Sequence, residues 1–184
     1  MLRAIVDQAR HGDEEAFEAL VRLVGDRCIF IAHRILRDPN LAEDAVQVAL
    51  VQAWRDLPTL RDLDRFEAWL HRILVHACYA EARRRRQFAT NVVLLETDEP
   101  AAGDGYRTVQ DRDQLDRGFR RLPPEQRAIL VFHHAVGLTM PEVADRLGIP
   151  LGTAKSRLSY ATAAIRASLE ADARTPLLDQ ENLA

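Results

Sequence analysis

Two stretches of this chain carry residue types suited to holding nucleic acid. In the first, Arg83, Arg84, Arg85 and Arg86 follow one another directly, and upstream Arg72, His76, Tyr79 and Arg83 recur at 4-3-4 spacing. On a helix that spacing draws one stripe, basic and partly aromatic, which suits phosphate contact with a ring for stacking on a base. The plainer reading of the arginine run is a solvated helix end, where cations also interact well with the helix dipole. In the second stretch, Thr153, Lys155, Ser156, Arg157 and Tyr160 gather near the start of a helix that follows a short helix and the turn Gly148-Ile149-Pro150. This is the helix-turn-helix plan, whose second helix lies in a DNA major groove. Its amino end aims backbone amides and a positive dipole at phosphate. Thr153 and Ser156 can bond phosphate or base edges, and Lys155 and Arg157 add charge. The plainer reading there is a helical hairpin with a solvated polar face.

Other chemistries find less support. Histidines at 71, 76, 133 and 134, with Cys78 nearby, invite a metal reading. On one helix, however, His71 and Cys78 lie two turns apart, about 10 Å, and His76 and Cys78 point to nearly opposite sides. No metal site and no cofactor is expected. No nucleophile with an evident base, no glycine-rich phosphate loop and no HExxH motif occurs, so an enzyme is not expected either.

The elements that must carry these residues are helical. Glycine and proline are sparse and sit at the edges of periodic segments, and alternating strand-like runs are nearly absent. Phe17, Leu20, Val24, Cys28, Ile31 and Ile35 draw one apolar stripe down a long helix from Asp13 to Leu36. Asn40 is positioned to cap a second helix, with Leu41, Ala45, Val48 or Ala49, and Ala53 on its inner side and Glu43, Asp44 and Gln47 elsewhere. Asp64 and Glu67 resemble a capping box that opens a third helix, whose core stripe is Phe66, Trp69, Leu70, Ile73, Leu74 and Ala77. Residues 89–108 lose periodicity and gain acid, proline and glycine, the marks of a flexible linker. Beyond it, helices are expected at about 109–121, 125–136, from Thr139 through Leu147, and from Leu151 onward. The domains are therefore read as 1–88 and 109–174, with 175–184 a tail too short for a further domain.

With 184 residues, 47% of them hydrophobic, the chain can build real cores. Its net charge of -3 hides a pattern: residues 51–90 hold eight basic against five acidic side chains, and residues 91–117 three against seven. Cys28 and Cys78 lie inside apolar runs, which fits reduced thiols in the cytoplasm. Neither a signal peptide nor a membrane span is indicated.

Taken in order, several segments resemble the sigma-70 family of RNA polymerase sigma factors, its extracytoplasmic-function (ECF) group above all. They are Gly12-Asp13-Glu14-Glu15-Ala16-Phe17, Ala42-Glu43-Asp44-Ala45-Val46-Gln47 with Ala53-Trp54, and Phe66, Trp69-Leu70 and Arg72-Ile73 leading to the arginines. In the second half they are Leu122-Pro123-Pro124-Glu125-Gln126-Arg127, Gly137-Leu138-Thr139 with Glu142-Val143-Ala144, and Gly148-Ile149-Pro150 to Leu158. The likeness covers about residues 10 to 170.

The resemblance implies an all-α fold, with a sigma region 2 bundle joined by the linker to a region 4 helix-turn-helix. It implies that the protein binds core RNA polymerase and directs it to particular promoters, catalysing nothing itself. Glu43, Asp44, Gln47 and Gln52 would meet the polymerase. Arg61, Asp62, Arg65, Arg72, His76, Tyr79 and Arg83 to Arg86 would read and help melt the minus-10 element, with a displaced base held beside the loop Thr59 to Asp64. Thr139, Leu151, Gly152, Thr153, Lys155, Ser156, Arg157 and Tyr160 would read the minus-35 element. An anti-sigma factor is a further expected partner, and free in solution the domains would close on each other or on that inhibitor. The chain departs from the family pattern at Val48, where an acid is usual, at His76, where asparagine is common, in the loop Arg61 to Asp64, and in an arginine-poor stretch after Arg157. A conventional regulator binding duplex DNA without polymerase, and a helical metal enzyme using His71, His76 and Cys78, are the alternatives.

Overall fold

The computed structural model of the protein describes residues 2–91 and 108–181, with side chains placed over 2–88 and 115–171. Among them all regular structure is helical. Helix α1 (Leu2–Arg10), which the sequence reading passed over, is amphipathic: Val6 and Ala9 are buried, and Leu2 and Ile5 pack beside them. Helix α2 (Glu14–Leu36) starts at Asp13, whose carboxylate accepts the Ala16 N–H at 3.0 Å. Of its expected stripe, Leu20, Cys28, Ile31 and Ile35 are buried, while Phe17 and Val24 sit at the rim. Phe17 meets Trp54 there, with ring centroids 4.8 Å apart.

Helix α3 (Pro39–Asp56) is capped by Asp38 and not by Asn40. Proline fits the first helical position because it has no N–H to satisfy, so the cap must precede it. Asp38 accepts the Leu41 N–H at 3.1 Å with one oxygen and the Arg85 guanidinium at 2.9 Å with the other. Ala42, Ala45, Ala49 and Ala53 are buried, and this small-residue face lets α3 lie close on its neighbours. Of the two candidates for its inner side, Ala49 is taken and Val48 is exposed.

Two short 3-10 turns, Leu57–Thr59 and Leu63–Arg65, lead into helix α4 (Phe66–Asn91). The expected Asp64–Glu67 box does not form. Asp62 accepts the Asp64 N–H instead, and the Asp64 carboxylate pairs with Arg3 of α1 at 2.9 Å. Phe66, Leu70, Ile73, Leu74 and Ala77 are buried as read from the sequence, and Trp69 is half-buried.

The second half holds α5 (Thr108–Arg121), α6 (Pro124–Leu130), α7 (Met140–Leu147) and α8 (Leu151–Glu181). The helix expected to run to residue 136 instead widens into a π-helical turn, Val131–Ala135. There the Val136 N–H reaches back to the Val131 carbonyl, and Gly137 takes a left-handed conformation at φ 83°. The turn sinks Phe132 completely and points His133 Nδ1 at the Leu138 carbonyl, 2.8 Å away. Gly148, at φ 65°, closes α7 with its N–H on Ala144 and Asp145 carbonyls. Helix α8 continues through the segment read as a tail, to Glu181. Of the linker read over 89–108, residues 92–107 lie outside the described residues.

The halves are closed on each other. Helix α4 packs on α6 and α7, α2 packs on α6, and one apolar cluster runs unbroken from Val6 to Ala154. A second, small cluster of Leu122, Leu130 and Ala161 lies inside the C-terminal half.

Candidate nucleic-acid and polymerase interfaces

Three surfaces follow from this arrangement. The first is the outer face of α3. Because the alanines occupy its inner face, Glu43, Asp44, Gln47 and Gln52 are all exposed. Val48 and Val51 stand among them at 49% and 46% exposure, and with Gln47, Gln52, Arg55 and Asp56 they line a shallow groove. Apolar side chains at the centre of a polar rim are the make-up of a protein-binding surface.

The second surface is the basic flank around α4. Beside the loop Thr59 to Asp64 lies a cavity of about 690 Å³ bounded by Arg61, Asp62 and Leu63 and, from α1, by Arg3, Asp7 and Arg10. Arg10 donates to the Leu60 carbonyl at 3.3 Å and to Asp7 at 2.9 Å, fixing the cavity wall. Arg3 and Arg10 are site candidates that sequence reading missed. The signal was the spacing of Leu2, Ile5, Val6 and Ala9, which placed a helix ahead of Asp13. Arg72, His76 and Arg83 are exposed, as their stripe requires.

Tyr79 corrects that stripe. Its ring packs on the core, and its hydroxyl is buried with no hydrogen-bond partner. Burial first, and then the negative charge of Glu125 from α6, raises its pKa. The arginines are also partly committed. Arg84 pairs at 3.0 Å with Glu81, itself buried, and Arg85 holds the α3 cap. Arg65 is ion-paired to Asp145 of α7, and Arg72 donates to the Asp145 backbone carbonyl at 2.7 Å.

The third surface is the amino end of α8. Leu151, Gly152, Lys155, Ser156 and Tyr160 are exposed, Thr153 and Arg157 half-exposed, and Ala154 and Ala161 anchor the opposite side. Thr139 is differently employed: its N–H and its hydroxyl both donate to the Glu142 carboxylate, at 2.8 and 2.6 Å, and start α7. These two bonds hold Glu142 below the usual carboxylate range.

Family comparison decides what such a pair of domains is. Sigma-70 region 2 matches residues 20–88, and Sigma-70, region 4 matches residues 112–165. The chain is 35% identical over 152 residues to the ECF RNA polymerase sigma factor SigM of Mycobacterium tuberculosis, covering 83% of this chain and 76% of that one. The chain belongs to the ECF sigma factors. ECF sigma factors are RNA polymerase sigma factors, and this one directs promoter-specific transcription. It is also similar to SigW of Bacillus subtilis, at 23% identity over 92% of this chain and 97% of SigW.

Solved structures agree with the fold of this sigma factor. CnrH, in complex with the cytosolic domain of CnrY, aligns with a TM-score of 0.65 at 27% identity, over 93% of this chain and 98% of CnrH. RpoE in complex with the anti-sigma factor NepR, from Bartonella quintana, aligns at 0.64 and 26%, over 85% and 98%.

Between the second surface and α7 of this ECF sigma factor lies a seam with its own electrostatics. Asp145 is held below the ordinary aspartate value, first by the hydrogen bond from Arg65. His71 is 4% exposed, with the Phe132 ring 5.3 Å from its own and Arg146 of α7 at 3.2 Å from Nδ1. Farther along, Arg37 pairs with Asp116 of α5 and lies near the Phe119 ring. Burial pushes the Cys28 and Cys78 thiols up to about 11 and about 12. Among the described residues no group of three His, Cys, Asp or Glu side chains converges on a point where an ion would sit. None of their helices is long and apolar enough to cross a membrane.

Proposed function

We propose that the sigma factor divides its work among the three surfaces as follows. Glu43, Asp44, Gln47 and Gln52, with Val48 and Val51 between them, dock on core RNA polymerase. Arg61, Asp62, Arg65, Arg72, His76 and Arg83 to Arg86, helped by Arg3 and Arg10, take the minus-10 element. The cavity beside residues 61–63 receives a displaced base, and cations on its wall hold the single-stranded backbone. Leu151, Gly152, Thr153, Lys155, Ser156, Arg157 and Tyr160 take the minus-35 element, the first turn supplying backbone amides and Lys155 and Arg157 supplying charge. The domains responsible are residues 1–88 and 109–174. The chain has no catalysis of its own in this reading, works in the cytoplasm beside the polymerase, and is held when idle by an anti-sigma factor.

The observation that carries the reading is the exposed face of α3. A stand-alone regulator has no use for exposed valines rimmed by acids and glutamines on a domain that does not read duplex DNA. Run-off transcription with core polymerase tests it. The chain should support initiation from a duplex promoter, and Asp44→Ala with Gln47→Ala should weaken capture of polymerase by about tenfold or more while duplex binding by the second domain persists. Unchanged polymerase affinity in that double variant rejects the assignment.

A further inference from the structure

We propose that the seam between the two domains is a proton-operated latch: neutral His71 holds it shut, and a proton on that imidazole opens it and releases Arg65 and Arg72. His71 shares a face of α4 with Val75 and Cys78, both fully buried, and its own ring is covered by the other domain. Phe132 lies against it, and Arg146 reaches Nδ1 at 3.2 Å. A guanidinium carries only donors, so Nδ1 must be the accepting nitrogen of a neutral ring. Once protonated, that nitrogen carries a hydrogen of its own. The bond is lost, and a buried imidazolium faces the partly buried Arg146 guanidinium.

The charges that act on the ring are cations, and Glu67, one turn back on α4, is exposed and lines a pocket with Arg146. Helix α7 brings Arg146, and its acid, Asp145, is engaged with Arg65 and Arg72. Helix α2 brings Arg27, a second cation. The π-helical turn brings the Phe132 ring, while its His133 is turned to the Leu138 carbonyl. On α6, Glu125 acts on Tyr79, and Arg127 lies among Arg37 and Arg86. Burial first, then Arg146 and Arg27, pushes His71 from its ordinary 6.5 down to about 3.

The sign follows from linkage. The depressed value belongs to the closed form, so closure is fully supported above 6.5 and loses support as pH falls from there toward 3. Asp145, held below 3.8, stays ionised through most of that window and does not set it. A fall from about pH 7.5 to about 5.5 raises the open-to-closed ratio about tenfold. That opening frees the minus-10 surface rests on the assignment of Arg65 and Arg72 above; the latch itself does not.

The test uses the full chain with Glu18→Cys and Ala163→Cys carrying a donor and an acceptor dye. The buried native thiols, at about 11 and about 12, stay unlabelled. Energy transfer is followed against pH beside the NMR titration of the His71 ring. The expected result is a His71 midpoint well below 6.5, with the interdomain distance lengthening over the same range. His71→Gln, whose amide oxygen still accepts from Arg146 and takes up no proton, should hold its distance there. An imidazole titrating near 6.5, a distance that ignores the titration, or an equal response in His71→Gln overturns the latch. If the glutamine variant does not fold, the first two readings on the native chain decide. Promoter binding that stays flat while the distance lengthens counts against the Arg65 and Arg72 assignment and leaves the latch standing.

Discussion

The two domains bury their apolar residues in different ways. The first encloses its own: Leu20, Ile31 and Ile35 of α2, the alanines of α3, and Leu70 and Leu74 of α4 close on one another. Among the described residues, the second keeps only Leu122, Leu130 and Ala161 in a cluster of its own, and the rest, from Ala128 to Ala154, is continuous with the core of its neighbour. Charge is divided as unevenly. Across the seam the first domain supplies Arg37, Arg65 and Arg72, and the second supplies Asp116 and Asp145. The seam is thus an apolar contact fringed by ion pairs with one sign on each side, and it falls on one of the three proposed recognition surfaces. Arg65, Arg72 and Tyr79 lie at or behind it, while the outer face of α3 and the first turn of α8 remain open to partners.

The largest way to break that contrast is at its apolar centre. Phe132→Ala removes a fully buried ring that packs at a tilt against His71 across the seam, and such truncations cost about 3–5 kcal/mol. Chemical denaturation of the full chain should show that loss, and a change under about 1 kcal/mol would mean the second domain does not depend on this ring. Next comes the open face of α3 proposed to meet polymerase. Asp44→Ala with Gln47→Ala should weaken binding to core polymerase by about tenfold or more, as truncations inside a protein interface do, with folding stability within about 0.5 kcal/mol. A matching loss of stability would show that α3 had been damaged and its surface left untested.

How much of this was legible beforehand varies with the kind of residue. The stripes of α2 and α4 were readable because period-3.6 spacing is a strong signal over twenty residues, and the turn at Gly148 because a left-handed cap calls for glycine. Asp38 was missed as a cap in favour of Asn40, though Pro39 marks the first helical position. Helix α1 was read only for export signals, and with it Arg3 and Arg10 were lost. The π-helical turn leaves no signature in composition. Tyr79 shows the deeper limit: at its spacing it belongs to an exposed stripe, yet its hydroxyl is buried and it feels the charges of Glu125 and Arg157 in the other domain. Local pattern tells which face a residue lies on and is silent about what later covers that face.

The amino end of α8 sharpens the contrast from the open side. Lys155→Ala with Arg157→Ala should weaken promoter binding and lower the slope of log K against log salt by about one for each phosphate contact removed. Polymerase affinity should not move. An unchanged slope would mean that these cations do not touch the backbone, and the reading of α8 would then rest on its polar residues and helix dipole alone.

The smallest expected effect probes the fringe of the seam. Arg65 and Asp145 are 55% and 39% exposed, so solvent and salt screen their attraction, and Asp145→Asn should cost no more than about 1 kcal/mol. Its pH dependence is more telling than its size. Because Arg65 holds the Asp145 carboxyl below its ordinary 3.8, the native chain's advantage over the asparagine variant should be full above 3.8 and fade as pH falls through the depressed value. His71 predicts an opposite order of events on the same seam: it loses its grip from 6.5 downward, before Asp145 takes up any proton. Denaturation of the native chain and of Asp145→Asn across that range separates the two. A native chain that keeps its full stability from 6.5 down to 3.8, and loses it only below, would mean that the ion pair, and not the imidazole, carries the acid response of the seam.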